Sequence, residues 1–193
     1  MNFTISLPDW AVEENDRLPD FLPALEDRMR AVLRFAQLNF EHQTGGPFAA
    51  GVFEEESGRP VVIAVNRVLP SGCSSAHAEI VTLSLAQKIL GTFDLGGDGM
   101  PAYQLLVNAR PCAMCFGSLP WSGIRSLVVA ATGDDVERLT GFDEGPVHPN
   151  WKNELEVRGI AVTENILRKE ACETFSAFGQ SGQLVYNGRL GST

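Results

Sequence analysis

The first regular signal along the chain is an alternation. Phe3, Ile5 and Leu7 are apolar between polar neighbours, the period of a short half-buried strand. After a Pro-punctuated stretch ending at Pro23 the period becomes helical. Leu25, Met29, Val32, Leu33, Ala36 and Phe40 fall on one stripe, so a long amphipathic helix is expected to stop before Gly45-Gly46-Pro47. Two short apolar runs, 48–53 and 61–65, flank Ser57-Gly58 and read as a hairpin. Residues 66–75 are rich in turn formers, and Ser74 or Ser75 is placed to cap a helix from near Ala76 to Leu90, stopped by Gly91. Residues 103–108 read as a buried strand, and Pro111 suits the first turn of the helix that follows. Residues 126–131 predict a strand, 134–139 a short helix and 159–163 a last strand, whereas 142–158 and the stretch after Phe178 give no clear period. Strands alternating with helices predict the α/β class: a three-layer α/β/α sandwich around one mixed sheet.

No linker, repeat or low-complexity segment divides the 193 residues, so one domain is expected, with an N-terminal extension over 1–23 and a C-terminal tail over about 179–193. Charge narrows the partners. Fifteen Lys and Arg against 24 Asp and Glu give a formal net charge of −9, which repels phosphate backbones. A small neutral molecule is the expected ligand, and no nucleic acid is expected. No apolar run is long enough to span a bilayer, and the first ten residues lack the basic-then-apolar order of a secretory signal. A cytoplasmic location is expected. In that reducing setting four cysteines point to metal binding or catalysis rather than disulfides.

The chemistry concentrates in two short segments, His77-Ala78-Glu79 and Pro111-Cys112-Ala113-Met114-Cys115. Cys112 and Cys115, three apart, share a helix face, and a helix N-terminus favours the thiolate that binds metal. With the imidazole of His77 they make three zinc ligands, leaving one tetrahedral position for water, as a catalytic zinc requires. Glu79, two residues beyond His77, is placed beside the metal without ligating it and can move a proton from that water to a substrate. A structural zinc knuckle would need a fourth ligand, and His42, His148, Cys73 and Cys172 stand in no matching pair.

The H-x-E and P-C-x-x-C segments are the signature of zinc-dependent nucleobase deaminases. With Gly45-Gly46-Pro47-Phe48-Ala49-Ala50-Gly51 and Asn66, they make residues 25–145 resemble the cytidine-deaminase-like superfamily, bacterial guanine deaminases most of all and tRNA adenosine deaminases next. Gly141-Phe142-Asp143-Glu144 resembles a G-F-D-D run of guanine deaminases whose last acid assists catalysis. That points to Glu144, with Asp143 as the alternate because one extra residue separates the run from Cys115. A carboxylate there can accept N–H bonds from N1 and the 2-amino group of guanine. The resemblance further implies substrate contacts from Asn66, Phe48, Ala78 and Trp121, one zinc per chain, a homodimer, and closure of the site by a C-terminal segment in which Tyr186 is the candidate. Ala49 stands where the family usually has Gly, and Ser71-Gly72-Cys73-Ser74-Ser75 replaces a more usual Asn-Asp-Pro-Thr run. These departures leave room for aminated triazines such as ammeline. The expected activity is deamination of guanine to xanthine and ammonia. The alternatives are a tRNA adenosine or cytosine/cytidine-type deaminase and, from another class, a silent zinc-binding ligand sensor.

Overall fold

The computed structural model describes residues 1–188. Helices α1 (Asp9–Asp16) and α2 (Leu25–Glu41) come first, then the strands β1 (Ala49–Glu54) and β2 (Pro60–Val65). A one-turn helix α3 (Val68–Ser71) precedes α4 (Ala78–Leu90), β3 (Tyr103–Ala109), α5 (Ala113–Ser122), β4 (Ser126–Ala131) and α6 (Gly133–Thr140). The chain continues through α7 (Trp151–Glu156), β5 (Ala161–Thr163) and α8 (Arg168–Gln180). The sheet runs β2-β1-β3-β4-β5, with β1 antiparallel to both neighbours and β3, β4 and β5 mutually parallel. This is the mixed sheet that the sequence predicts.

The two-residue period of the strands distributes the core to both faces. Leu105, Val107, Leu127 and Val129 pack with Leu83, Leu119 and Leu155 of α4, α5 and α7. The intervening Leu106, Val128 and Ala130 pack with Met29, Val32 and Phe35 of α2, Val136 of α6 and Phe175 of α8. The central strands β3 and β4 are buried along their whole length, as expected of a sheet covered on both sides.

Several local expectations change. Residues 1–8 form no strand: Phe3 is exposed, and only Ile5 and Leu7 pack partly inward. The edge of β2 is taken by α1 instead. Asn15 accepts from the Ile63 N–H at 2.8 Å and donates to the Ile63 carbonyl at 2.8 Å, mimicking a strand partner and closing an edge that would otherwise invite pairing. Helix α4 is capped by His77, not by a serine, and Pro111 lies before the helix that Cys112 caps. The tail beyond Phe178 continues from α8, whose Ala171, Phe175 and Phe178 are buried at helical spacing. Among the described residues, no helix is long and apolar enough to cross a membrane.

Candidate active site

Two helix N-termini converge on the same point. His77 is the extended N-cap residue of α4, and Cys112 that of α5. The His77 Nδ1 lies 3.5 Å from the Cys112 Sγ and 3.6 Å from the Cys115 Sγ, and the three ligand atoms all lie within 4.8 Å of one another. Tetrahedral zinc with Zn–S of about 2.3 Å and Zn–N of about 2.1 Å separates S from N by about 3.6 Å. The imidazole thus already stands from each sulfur at the spacing of two corners of a zinc tetrahedron. No other His, Cys, Asp or Glu among the described residues joins the cluster, so the fourth corner is left for a non-protein ligand.

The electrostatics agree with that donor set. The hydrogen bond from Cys115, aided by His77, pulls the Cys112 thiol down to about 4 against the effect of burial. Its bond to Cys112, and then burial, push Cys115 up. A divalent cation at this point would hold both sulfurs as thiolates. For His77, burial favours the neutral ring, but the Cys112 hydrogen bond and the charges of Glu79, Cys112 and Glu144 together raise its pKa.

Glu79, on the first turn of α4, is only 6 % exposed. Burial, and then the charge of Cys112, push its carboxyl to about 7, while His77 opposes the rise. Glu144 lies in the loop after α6, and its carbonyl accepts from the Ala113 N–H at 3.0 Å, tying that loop to the start of α5. Burial and the charges of Cys112 and Glu79 push its carboxyl to about 8, against the pull of Arg110. Two buried acids poised near neutrality beside a metal-binding triad can carry protons in both directions.

Both acids line one cavity of about 720 Å³ with His77, Cys112, Asn66, Phe48 and Ala78. Asn66 is held from behind. Its carbonyl accepts from Asn39 Nδ2 at 3.0 Å, and a β-carbon on Gly45 would overlap that same carbonyl, so the Gly45-Gly46 pair serves a close approach. Asn108 anchors the other wall, donating to the Pro47 carbonyl at 2.8 Å and accepting from the Ala49 N–H at 3.1 Å. Phe142 packs edge-on against Phe48 at 5.1 Å. The tail closes over these groups: the Tyr186 hydroxyl donates to Asn66 Oδ1 at 2.7 Å, and its ring meets Phe142 at 4.9 Å. Asn187 accepts from the Asp143 N–H at 3.0 Å and donates to the Gly141 carbonyl at 2.7 Å. The last residues of the tail, from 189 onward, lie outside the described residues.

The structure thus brings His77, Cys112, Cys115, Glu79, Glu144, Asn66, Phe48 and Ala78 together. Asp143 borders the same cavity but is exposed, and its carboxylate accepts from the Gly145 N–H at 2.8 Å, closing a turn. Trp121 corrects an expectation. It is 85 % exposed at the C-terminal end of α5, and does not line the cavity of its own chain, because the buried side of that helix is made by Cys115, Leu119 and Ser122. Sequence reasoning missed Asn39, Asn108 and Asn187, which hold the site through backbone carbonyls and carry no motif, and Arg110, whose place immediately before Pro111-Cys112 was the available signal.

Residues 23–131 match the family model described as the cytidine and deoxycytidylate deaminase zinc-binding region. The crystal structure of a guanine deaminase from Nitrosomonas europaea is 49 % identical in sequence, covers 93 % of this chain and 98 % of its own, and superposes with a TM-score of 0.89. A structure of an NE0047 mutant in complex with 8-azaguanine gives the same identity, coverage and TM-score. The guanine deaminase of Bacillus subtilis is 28 % identical over 137 residues, which cover 68 % of this chain and 83 % of that protein.

Proposed function

Because the chain belongs to the cytidine and deoxycytidylate deaminase zinc-binding family, we propose that it is a zinc-dependent aminohydrolase that converts guanine and water to xanthine and ammonia. The observation that carries the substrate is Glu144: a second buried acid on the cavity wall, beside the His77-Cys112-Cys115 triad and Glu79. The complex of the similar NE0047 with 8-azaguanine supports a purine in this cavity.

Zinc held by His77, Cys112 and Cys115 would polarise water and lower its pKa towards neutrality. Glu79 takes a proton as the water oxygen adds to C2, and returns it to the neighbouring ring nitrogen. Glu144, held protonated by burial, turns its carbonyl oxygen to N1–H or the 2-amino group and gives its proton to the departing amine as the C2–N bond breaks. It then takes back the proton of the new C2 hydroxyl, so that ammonia leaves neutral and the C2 carbonyl forms. Asn66 Oδ1 is occupied by Tyr186 and by the Val68 N–H at 3.2 Å, which turns its Nδ2 to a purine acceptor. Phe48 and Phe142 supply apolar walls, the backbone at Ala78 borders the reacting end, and Tyr186 with Asn187 keeps bulk water out.

The whole chain works as one deaminase domain, with α1 sealing the sheet and the tail completing the pocket. The four unpaired cysteines support a reducing, cytoplasmic setting. Met114 and Trp121, seven residues apart on α5 and both exposed, support a homodimer built on that helix face, which light scattering tests. The activity is tested by ammonia release from guanine, ammeline, adenosine, cytidine and an anticodon stem-loop. Guanine is expected to be the best substrate, with ammeline accepted. Turnover of the stem-loop or of cytidine in place of guanine would overturn the substrate assignment while leaving the zinc aminohydrolase standing.

A further inference from the structure

Arg110 lies between the last residue of β3 and the Pro111-Cys112 segment, and takes no part in the mechanism above. Among the described residues it is the one Lys or Arg that lines the cavity. Its Nε is buried and finds no acceptor among those residues, a state native proteins rarely tolerate without a ligand or water to fill it. The space for the guanidinium is built in. Gly133, the first residue of α6, has no positive φ to explain a glycine, yet a β-carbon there would overlap the Arg110 Nη2, Cζ and Nε. A weak helix former thus stands where the guanidinium must lie flat against the backbone. The charge reaches Glu144, whose carboxyl it pulls down against burial.

Arg110 and Glu144 border the same cavity, and a carboxyl beside a guanidinium matches a particular edge. Next to its amino-bearing C2, guanine presents N1–H as a donor and then the 6-oxo group as an acceptor. Arginine pairs readily with guanine O6 and N7, as in major-groove recognition of DNA. A 6-amino purine reverses that edge, setting its amino donor against the guanidinium, a mismatch that lowers kcat/KM without barring the purine from the cavity.

Resting on the reading of the cavity as a purine site, we propose that Arg110 is a specificity-determining residue. It donates to the 6-oxo group of the purine and, cradled by Gly133, selects 6-oxo over 6-amino substrates.

The test compares kcat/KM for guanine and 2,6-diaminopurine, which share the 2-amino group and differ at position 6. It uses the zinc-loaded wild type and Arg110→Met, Arg110→Lys and Gly133→Ala, with zinc content and melting temperature checked for each. The wild type is expected to favour guanine. Arg110→Met should lower kcat/KM for guanine by about ten- to a hundredfold, the value of a charge-assisted hydrogen bond, and leave 2,6-diaminopurine within about threefold. Gly133→Ala should shift the ratio the same way, because it displaces the guanidinium without removing it, and Arg110→Lys should fall between. Calorimetry should show weaker binding of xanthine, also a 6-oxo purine, to Arg110→Met. If Arg110→Met fails to fold, the lysine and alanine variants carry the same comparison. Equal losses on both purines with zinc retained, or an unchanged ratio, would overturn the proposal. A wild type that deaminates neither purine would overturn the purine reading itself, and this inference with it.

Discussion

Asp135 and Glu144 are buried almost equally, 4 % and 6 % exposed, yet their acidities move in opposite directions. Asp135, on the first turn of α6, is surrounded by donors. It accepts from Arg168 Nε at 2.7 Å and Nη2 at 3.1 Å, from Arg138 Nη2 at 3.0 Å, and from the Thr132 hydroxyl at 2.8 Å and N–H at 3.1 Å. The Arg168 hydrogen bond above all, with Thr132 and Arg138, holds its carboxyl far below the usual carboxylate range despite burial. Glu144, one loop further on, meets burial and negative neighbours, and rises to about 8. Burial sets the cost of a charge, and the donors within reach decide whether the proton stays. Where donors are supplied, the acid fixes α6 to the start of α8. Where they are withheld, beside the zinc ligands, it keeps a proton to give.

The comparison breaks most visibly if the pocket does not hold metal. Cys112→Ala or Cys115→Ala should lose the zinc and with it essentially all deamination, as measured by elemental analysis and ammonia release. Zinc retained in full by both variants would mean that the triad is not the site. Next in size is Glu79→Gln, which keeps shape and one hydrogen bond but cannot carry a proton. It should bind zinc normally and lose about 10²–10⁴-fold in turnover, whereas a loss below tenfold would assign the proton to another group.

Glu144→Gln should lower kcat for guanine by at least about tenfold with a smaller change in KM, the mark of an interaction made mainly in the transition state. Asp143→Asn, altering an exposed turn-closing carboxylate, should be mild. The reverse ranking would move the second acid to Asp143.

How much of this could be read from the sequence divides along the same line. Strands β1 to β4 were legible as short apolar runs, as in 103–108, and α2 as the stripe through Met29, Val32 and Ala36, whereas the alternation at Phe3, Ile5 and Leu7 predicted a strand that does not form. The zinc triad was legible because local spacing fixes each half, Cys112 with Cys115 and His77 with Glu79, and the deaminase signature joins the two halves across 35 residues. Trp121 was misread because a Pro-Trp step beside a motif does not say which side of the helix it occupies. Helix α8 carried its signal in Ala171, Phe175 and Phe178, masked by a polar majority. The contacts of Asn15 with Ile63 and of Tyr186 with Asn66 join residues 48 and 120 positions apart, and no local period encodes them.

The smallest expected effect concerns stability rather than catalysis, and separates the two acids by sign. In protein freed of zinc, Glu144 holds its proton until about 8, whereas in the unfolded chain it titrates near the ordinary glutamate value of 4.5. Between those values the folded state binds the extra proton, so stability falls as pH rises through the window. Glu79, at about 7, contributes in the same direction over the lower part. Asp135 behaves oppositely. Its stabilisation is complete above the ordinary aspartate value and is lost only as pH falls through its depressed one. A tenfold difference in proton affinity between folded and unfolded chain is worth about 1.4 kcal/mol, so the fall attributable to Glu144 should be on the order of 1–3 kcal/mol. Urea denaturation of the metal-free protein at pH 5, 6.5 and 8.5 should show the decline, and Glu144→Gln should flatten much of it, leaving the variant more stable than wild type at pH 8.5. Asp135→Asn should keep the decline but lose about 1–3 kcal/mol at all three pH values, since it weakens a donor-rich site whose arginines are partly exposed. If Glu144→Gln instead lowered stability at pH 8.5, its carboxylate would have a partner that holds it charged. The contrast between a structural acid and a working one would then fail at its centre.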